Sequence, residues 1–192
     1  FRSSAASDVY KRQLRNYKKM ITMSFKDIGN QVLLIGKTEG HIDQSLFARV
    51  ILDEKKGPPP EVNLFNEKNN GETLLNLIEK NYIRSAHDIS LGGMLTAISK
   101  MCIRGNKGIK LKKPTYLISE IEYFFGEDQG RYLIEVNPKD LKEVINILNK
   151  NSVHYDEIGT IIENDIEINQ KTKVTIDELR SYNTSWLKKY MA

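Results

Sequence analysis

Two short polar loops hold most of the residues in this chain whose types and spacing could do chemistry. Glu127, Asp128 and Gln129 stand between Gly126 and Gly130, and Arg131 follows at once. Glu127 and Gln129 can accept from and donate to a ribose or an amide, and Arg131 can hold a phosphate or carboxylate through paired bonds. The competing reading is an acidic turn that Arg131 clamps from within. Paired acids also fit general acid–base work, but no leaving-group partner stands near them, so no catalytic residue is assigned.

The second loop is His87-Asp88-Ile89-Ser90-Leu91-Gly92-Gly93. Its polar side chains His87, Asp88 and Ser90 follow an apolar run. Gly92 and Gly93 open the next one, where free amides at a helix start would attract an anion. The alternative is structural: the glycines let a helix pack tightly on a sheet, and His87 and Asp88 satisfy each other. One His and one Asp are too few for a metal site. Gly36-Lys37-Thr38 imitates a phosphate loop, but that motif needs a glycine where Gln31 stands. A strand end followed by a turn is expected there. His41 and His154 are isolated and carry no assignment.

The elements that must position these loops alternate. Gln31–Ile35 reads as a buried strand, and Asp43–Leu52 as a helix with Leu46, Phe47, Val50 and Ile51 on its apolar face. Pro58-Pro59-Pro60 forces an extended connector. Residues 63–80 predict a helix with Leu74, Leu75, Leu77 and Ile78 inward. A strand over 83–89 and a helix from Gly92 to about Ile103 follow, and Asn106 and Gly108 then turn the chain. Tyr132–Val136 is a strand. Asn137, Pro138 and Asp140 suit a helix start, and Leu141, Val144, Ile145 and Leu148 repeat at helical spacing. Strands over 154–162 and 165–168 precede a terminal helix over 175–189, with Thr175 and Glu178 spaced as a capping box. The expected fold class is α/β, an α+β sandwich with helices packed on a mixed sheet rather than a purely parallel one.

At 192 residues, with 40% hydrophobic and 28% charged residues, the chain suits one globular domain. No apolar run is long enough for a membrane helix, so no membrane partner is expected. The first residue is Phe, so a piece of a longer protein is expected. Residues 8–13, Asp-Val-Tyr-Lys-Arg-Gln, resemble the translation of a DNA adapter. Residues 1–13 are therefore set aside as a scar, although a short basic, serine-rich start can also pass for a transit peptide. Half of the net charge of +4 lies in that stretch. The remaining basic residues are spread out among acids, with isolated doublets as their only clusters, which argues against a nucleic-acid partner. The single Cys102 lies at helical spacing with Met94, Leu95, Ile98 and Met101, the pattern of a buried structural thiol in a reducing cytosol.

From about Lys19 to Ala192 the chain resembles the C-terminal AIR-synthase-related domain of the formylglycinamidine ribonucleotide synthase (FGAM synthase) family, in its large synthase subunit. The residues that carry the resemblance are Gly40 to Leu46, Pro58 to Pro60, Ser85 to Gly93, Gly105-Asn106, Phe125 to Arg131, Ile158-Gly159, and the end from Leu179-Arg180 through Trp186-Leu187 to Tyr190-Met191-Ala192. The resemblance implies an ATP- and Mg²⁺-dependent carbon–nitrogen ligase of purine biosynthesis, cytoplasmic, working with a glutaminase subunit and a small accessory subunit. It places the catalytic histidines, metal ligands and most ATP contacts in upstream domains of the same subunit, so this piece alone is expected to be inactive. On this basis residues 14–26 are the tail of the preceding domain and residues 27–192 the C-type domain. Glu127, Asp128, Gln129, Arg131, His87, Asp88, Ser90, Gly92 and Gly93 become candidates for substrate or nucleotide binding. Leu91 departs from the family, which usually has a polar residue there, and this favours a structural role for its loop. Two other readings stay open: an aminoimidazole ribonucleotide or selenophosphate synthetase type of enzyme, and a stand-alone, non-catalytic binding or assembly module.

Overall fold

The computed structural model describes residues 16–112, 118–168 and 172–191, with only the backbone at 187–189. The proposed scar lies outside the described residues. Seven strands form one sheet in the order β2-β4-β1-β5-β3-β6-β7. They are β1 (Gln31–Ile35), β2 (Ile83–Asp88), β3 (Gly108–Leu111), β4 (Tyr132–Val136), β5 (Tyr155–Ile162), β6 (Ile166–Ile168) and β7 (Thr172–Val174). Every pairing is antiparallel except β3 with β6, so the sheet is mixed, as expected.

The apolar run Val32-Leu33-Leu34-Ile35 does not alternate with polar residues because β1 lies mid-sheet with helices over both faces. Val32 and Leu34 enter one core with helix α3 (Gly93–Gly105), helix α4 (Glu120–Phe125) and the start of helix α6 (Ile176–Met191). Leu33 and Ile35 enter the other, beneath helices α2 (Leu64–Glu79) and α5 (Leu141–Lys150). All four side chains are fully buried. Each such burial stabilises the fold by about 1.5–3 kcal/mol, which fixes the register of the central strand.

Several boundaries differ from expectation. The helix predicted over 43–52 shrinks to α1 (Leu46–Val50), capped by Ser45, whose Oγ accepts from the Ala48 N–H at 3.1 Å. Its apolar face is only partly covered: Val50 and Ile51 are exposed, while Ala48 is buried and Phe47 packs on Phe125 with ring centroids 5.0 Å apart. Leu75 also faces solvent, because Leu77 takes the inward position, flanked by Leu74 and Ile78. Helix α5 starts at Leu141, while the Asn137 side chain caps the preceding turn through the Lys139 N–H. Strands β3 and β7 and helix α4 were not anticipated. The strands are four and three residues long and carry lysines. Ser119 and Glu122 of α4 form a reciprocal capping box, a signal present in the sequence but attached to only one and a half turns.

Residues 20–26 are woven into the sheet's edge. Thr22 bridges Ser85 in parallel, and Phe25 is buried in the core. Glu135 of β4, fully buried, holds this strap in place. Its carboxylate accepts from the Lys26 and Asp27 amides at 2.9 and 3.0 Å, from Asn30 Nδ2 at 2.7 Å and from Ser85 Oγ at 2.7 Å.

Candidate functional site

Helix α4 ends at Gly126, and the loop it releases runs beneath the start of β4, where the two polar loops meet. Arg131 is 1% exposed. Its Nη2 donates to the Gly126 carbonyl at 2.6 Å, Nη1 to Thr38 Oγ1 at 3.1 Å and Nε to the Asp128 carbonyl at 3.3 Å. A guanidinium so enclosed needs an anion, and Asp128 Oδ2 lies 3.5 Å from Nη1.

Asp128 is itself cradled by backbone. Oδ2 accepts from the Glu39 and Gly40 amides at 3.2 and 3.1 Å, and Oδ1 from the His41 amide at 3.0 Å. These amides belong to the turn after β1 that imitates a phosphate loop. The turn does bind an anion, and the anion is the chain's own Asp128. The ring of His41 contacts the Pro58 carbonyl at 3.1 Å, which ties the proline strap to the same turn.

Glu127 joins two helix starts. Its Oε1 accepts from the Leu46 amide at 2.7 Å, in the first turn of α1, and from the Gly92 amide at 2.8 Å, at the start of α3. A carboxylate at the positive end of a helix is favourable, so Glu127 sits where an anionic ligand would sit. Gly93 has a φ of +70°, and a Cβ there would lie 2.7 Å from the Phe125 backbone. Both the conformation and the space demand glycine, which draws α3 against α4. The two loops are thus locked together by Glu127, by Gly93 against Phe125, and by the Ile89 amide donating to the Arg131 carbonyl at 3.0 Å.

The remaining candidates stand apart from this lock. Gln129 is exposed, and its amide reaches only the Glu127 carbonyl at 3.5 Å. His87 Nδ1 faces Asp88 Oδ1 at 3.1 Å, the mutual satisfaction that the structural reading expects, while its Nε2 is buried with no partner among the described residues. Ser90 is exposed, and its carbonyl accepts from the Gly93 amide at 3.0 Å. Sequence reasoning missed Thr38, Asn70 and Glu135. Asn70 Nδ2 donates to the Gly130 carbonyl at 3.0 Å and holds α2 to the loop. A lone glutamate within Tyr-Leu-Ile-Glu-Val was the visible signal for Glu135.

An open cleft of about 850 Å³ adjoins the lock, between the turn after β1, the start of α2 and the Asp128–Gly130 loop. Glu39, Asp43, Glu61, Glu67, Glu122 and Asp128 line it, with Lys37 as its one Lys or Arg among the described residues. Lys37 is paired with Glu39 at 2.9 Å, a contact that holds its ammonium above the ordinary lysine range. Such a lining repels phosphate. Among the described residues no group of three His, Cys, Asp or Glu could hold a metal ion, and no helix is long and apolar enough to cross a membrane. Cys102 is fully buried, and desolvation pushes its thiol up to about 12.

Residues 27–170 match the family described as AIR synthase related protein, C-terminal domain. Over 178 residues the chain is 60% identical to the phosphoribosylformylglycinamidine synthase subunit PurL of Pelagibacter ubique (strain HTCC1062), covering 93% of this chain and 24% of that protein. The Bartonella henselae subunit of the same name is 36% identical over 178 residues, with the same coverage of 93% and 24%. The chain thus spans about a quarter of the length of the curated relatives it matches. Among solved structures, Thermotoga maritima PurL complexed with FGAR superposes with a TM-score of 0.68 at 19% identity, over 85% of this chain and 30% of that one. Escherichia coli HypE, a hydrogenase maturation protein, superposes with a TM-score of 0.58 at 14% identity, over 81% and 52%. At these identities the likeness establishes the fold.

Proposed function

Because the chain belongs to the AIR synthase related family and carries its C-terminal domain, we propose that it serves as one domain of an ATP-dependent phosphoribosylformylglycinamidine synthase in purine biosynthesis. The observation that carries this reading is the 60% identity with the Pelagibacter ubique subunit along 93% of the chain. The reaction replaces the formamide oxygen of formylglycinamide ribonucleotide with ammonia derived from glutamine. ATP supplies the phosphoryl group that turns this oxygen into a leaving group, and the oxygen departs as phosphate.

This domain's own donor set does not fit Mg²⁺-ATP. Glu127 already accepts from two helix-start amides and Asp128 from three turn amides, and among the described residues no group of three His, Cys, Asp or Glu could hold the metal ion. No step through the nucleotide is therefore derived from these residues. Glu127, Asp128 and Arg131 act as a strut that fixes α1, α3 and β4 relative to one another. Gln129, His87, Asp88 and Ser90 are the positions left to meet substrate, while Gly92 and Gly93 serve the lock. Cytoplasmic location, Mg²⁺ dependence, and association with upstream domains, a glutaminase subunit and a small accessory subunit belong to the same proposal. PurL, the name these relatives carry, also stands in a solved structure described as PurLQS from Thermotoga maritima.

The test is a chimera. Residues 16–192 replace the matching quarter of the Pelagibacter ubique subunit, and amidine formation is assayed with ammonia and ATP. Turnover by the chimera, with none from the 192-residue chain alone, is expected. A folded but inactive chimera, or an active isolated chain, overturns the reading.

A further inference from the structure

Helix α6 begins as part of the core and ends outside it. Ile176 is buried, and Leu179 packs against the same cluster as α3. Arg180 pins the helix there by donating to Asn106 Oδ1 at 2.6 Å. Beyond that point Tyr182, Trp186 and Tyr190 recur at every fourth position, on the side of the helix that Leu179 shares. They are 70%, 60% and 80% exposed, and Trp186 and Tyr190 lie against each other with ring centroids 6.2 Å apart. The buried face of α6 therefore continues as an aromatic stripe that no other element of the described residues covers.

Composition sets this stripe apart from a solvated surface. In a chain with 28% charged residues, the segment Ser181-Tyr-Asn-Thr-Ser-Trp-Leu187 carries no charge. Depletion of charge together with Trp and Tyr is the signature of an interface core, and these are the side chains that dominate binding energy.

We propose that the stripe docks onto another domain of the same polypeptide. The inference rests on the functional reading above and gives its strut domain a second, outward contact. The chain covers only 24% of the relatives, so that reading supplies about three times as much further polypeptide. A tethered partner is present at an effective concentration of about millimolar, which a separate chain does not match in dilute solution. The uncharged segment 181–187, which carries Tyr182 and Trp186, suits such a fixed neighbour better than a partner that charge must steer to it by diffusion.

Hydroxyl-radical footprinting read by mass spectrometry tests the docking, with Trp186, the only tryptophan of this chain, as the main reporter. The 192-residue chain and the full-length subunit are compared at low concentration, and synthase turnover is assayed in parallel. Oxidation of Trp186 and Tyr190 should fall by about an order of magnitude in the full-length subunit, as for buried interface aromatics. Trp186→Ser with Tyr190→Ser should leave the fold of the 192-residue chain unchanged and raise oxidation of the docked surface in the full-length subunit. Equal oxidation in an active full-length subunit overturns the docking and leaves the functional reading standing. Protection that appears in the 192-residue chain only as its concentration rises assigns the stripe to a second copy. Protection that needs an added subunit assigns it to a separate partner, and either result overturns the proposal. A full-length subunit without turnover counts against the functional reading, while the footprint still decides the docking.

Discussion

Replacing Glu127 should open an anion site that this chain keeps filled. Its Oε1 accepts two short bonds, 2.7 Å from the Leu46 amide and 2.8 Å from the Gly92 amide. Bonds to a charged acceptor contribute about 1.5–3 kcal/mol each, and partial solvent access puts these at the lower end. Glu127→Gln keeps a carbonyl and loses the charge, so it should cost about 1 kcal/mol. Glu127→Ala frees both amides to water and should cost about 2–3 kcal/mol. With a urea slope of about 2 kcal/mol/M, the midpoint falls by about 0.5 M for Gln and by 1–1.5 M for Ala. The discriminating assay is rescue. If inorganic phosphate enters the vacated position with a Kd of about 10 mM, then about 100 mM phosphate restores about 1.4 kcal/mol to Glu127→Ala. The wild type should gain only the general stabilisation that excluded salts provide. An equal response from the two proteins, or a midpoint shift below about 0.2 M for Ala, refutes the view that Glu127 occupies an anion position.

Three further perturbations bear on the same scaffold. Glu135→Gln turns an acceptor into a donor that faces the donors of Lys26, Asp27, Asn30 and Ser85. It should cost about 3–5 kcal/mol, with hydrogen exchange at the Lys26 and Asp27 amides accelerating first; unchanged exchange there would show that the strap is held by other contacts. Gly93→Ala places a methyl group 2.7 Å from the Phe125 backbone at a φ of +70°. A loss of about 3 kcal/mol, or about 6–12 °C in Tm, should follow; a near-neutral result would mean that α3 and α4 can slide apart. Cys102 stays protonated up to about 12 in the folded chain, while an unfolded thiol ionises near 8.5. Unfolding therefore releases a proton above that value, so this contribution is full below about pH 8, falls by about 2 kcal/mol at pH 10, and is lost further toward pH 12. Tyr123 and Tyr132, both raised chiefly by burial, act with the same sign at still higher pH. Urea midpoints at pH 8 and pH 10 check this, and Cys102→Ala should flatten the difference.

The fold was legible wherever burial on both faces left a mark. Val32 to Ile35 and Tyr132 to Val136 end where expected because central strands are covered on both sides and read as apolar runs, Glu135 alone excepted in the second. Short elements escaped notice for the opposite reason. Strand β3 is held by its neighbours' register rather than by its own composition, and α4 is too short for a periodic pattern. The helix expected over 43–52 forms only over Leu46–Val50 and is only partly covered, because periodicity reports an amphipathic face without saying whether this domain covers it. Val50 and Ile51 remain exposed. At the site, sequence picked out the residue types and left open whether they serve the fold or a ligand. Glu127, Asp128 and Arg131 are spaced as a ligand site would space them. Only the positions of the Glu39, Gly40, His41, Leu46 and Gly92 amides show where their hydrogen bonds go.

That distinction is thermodynamic as well as geometric. Any anion that sought the amides of the turn after β1 would have to displace Asp128, which is tethered beside them and cradled by three of them. Displacement would also remove the Asp128 carboxylate from the buried Arg131, whose bonds to Gly126, Thr38 and the Asp128 carbonyl go to neutral oxygens. Breaking such a buried pair costs about 3–5 kcal/mol before the incoming anion gains anything. A tethered carboxylate also competes at an effective concentration of about millimolar or more, against a free ligand that must give up its translational freedom. The same amides and the same guanidinium that would bind phosphate in an open loop therefore make this loop rigid. One carboxylate at Glu127 and one at Asp128 suffice to turn two anion-binding geometries into a strut that holds α1, α3 and β4 in fixed relation.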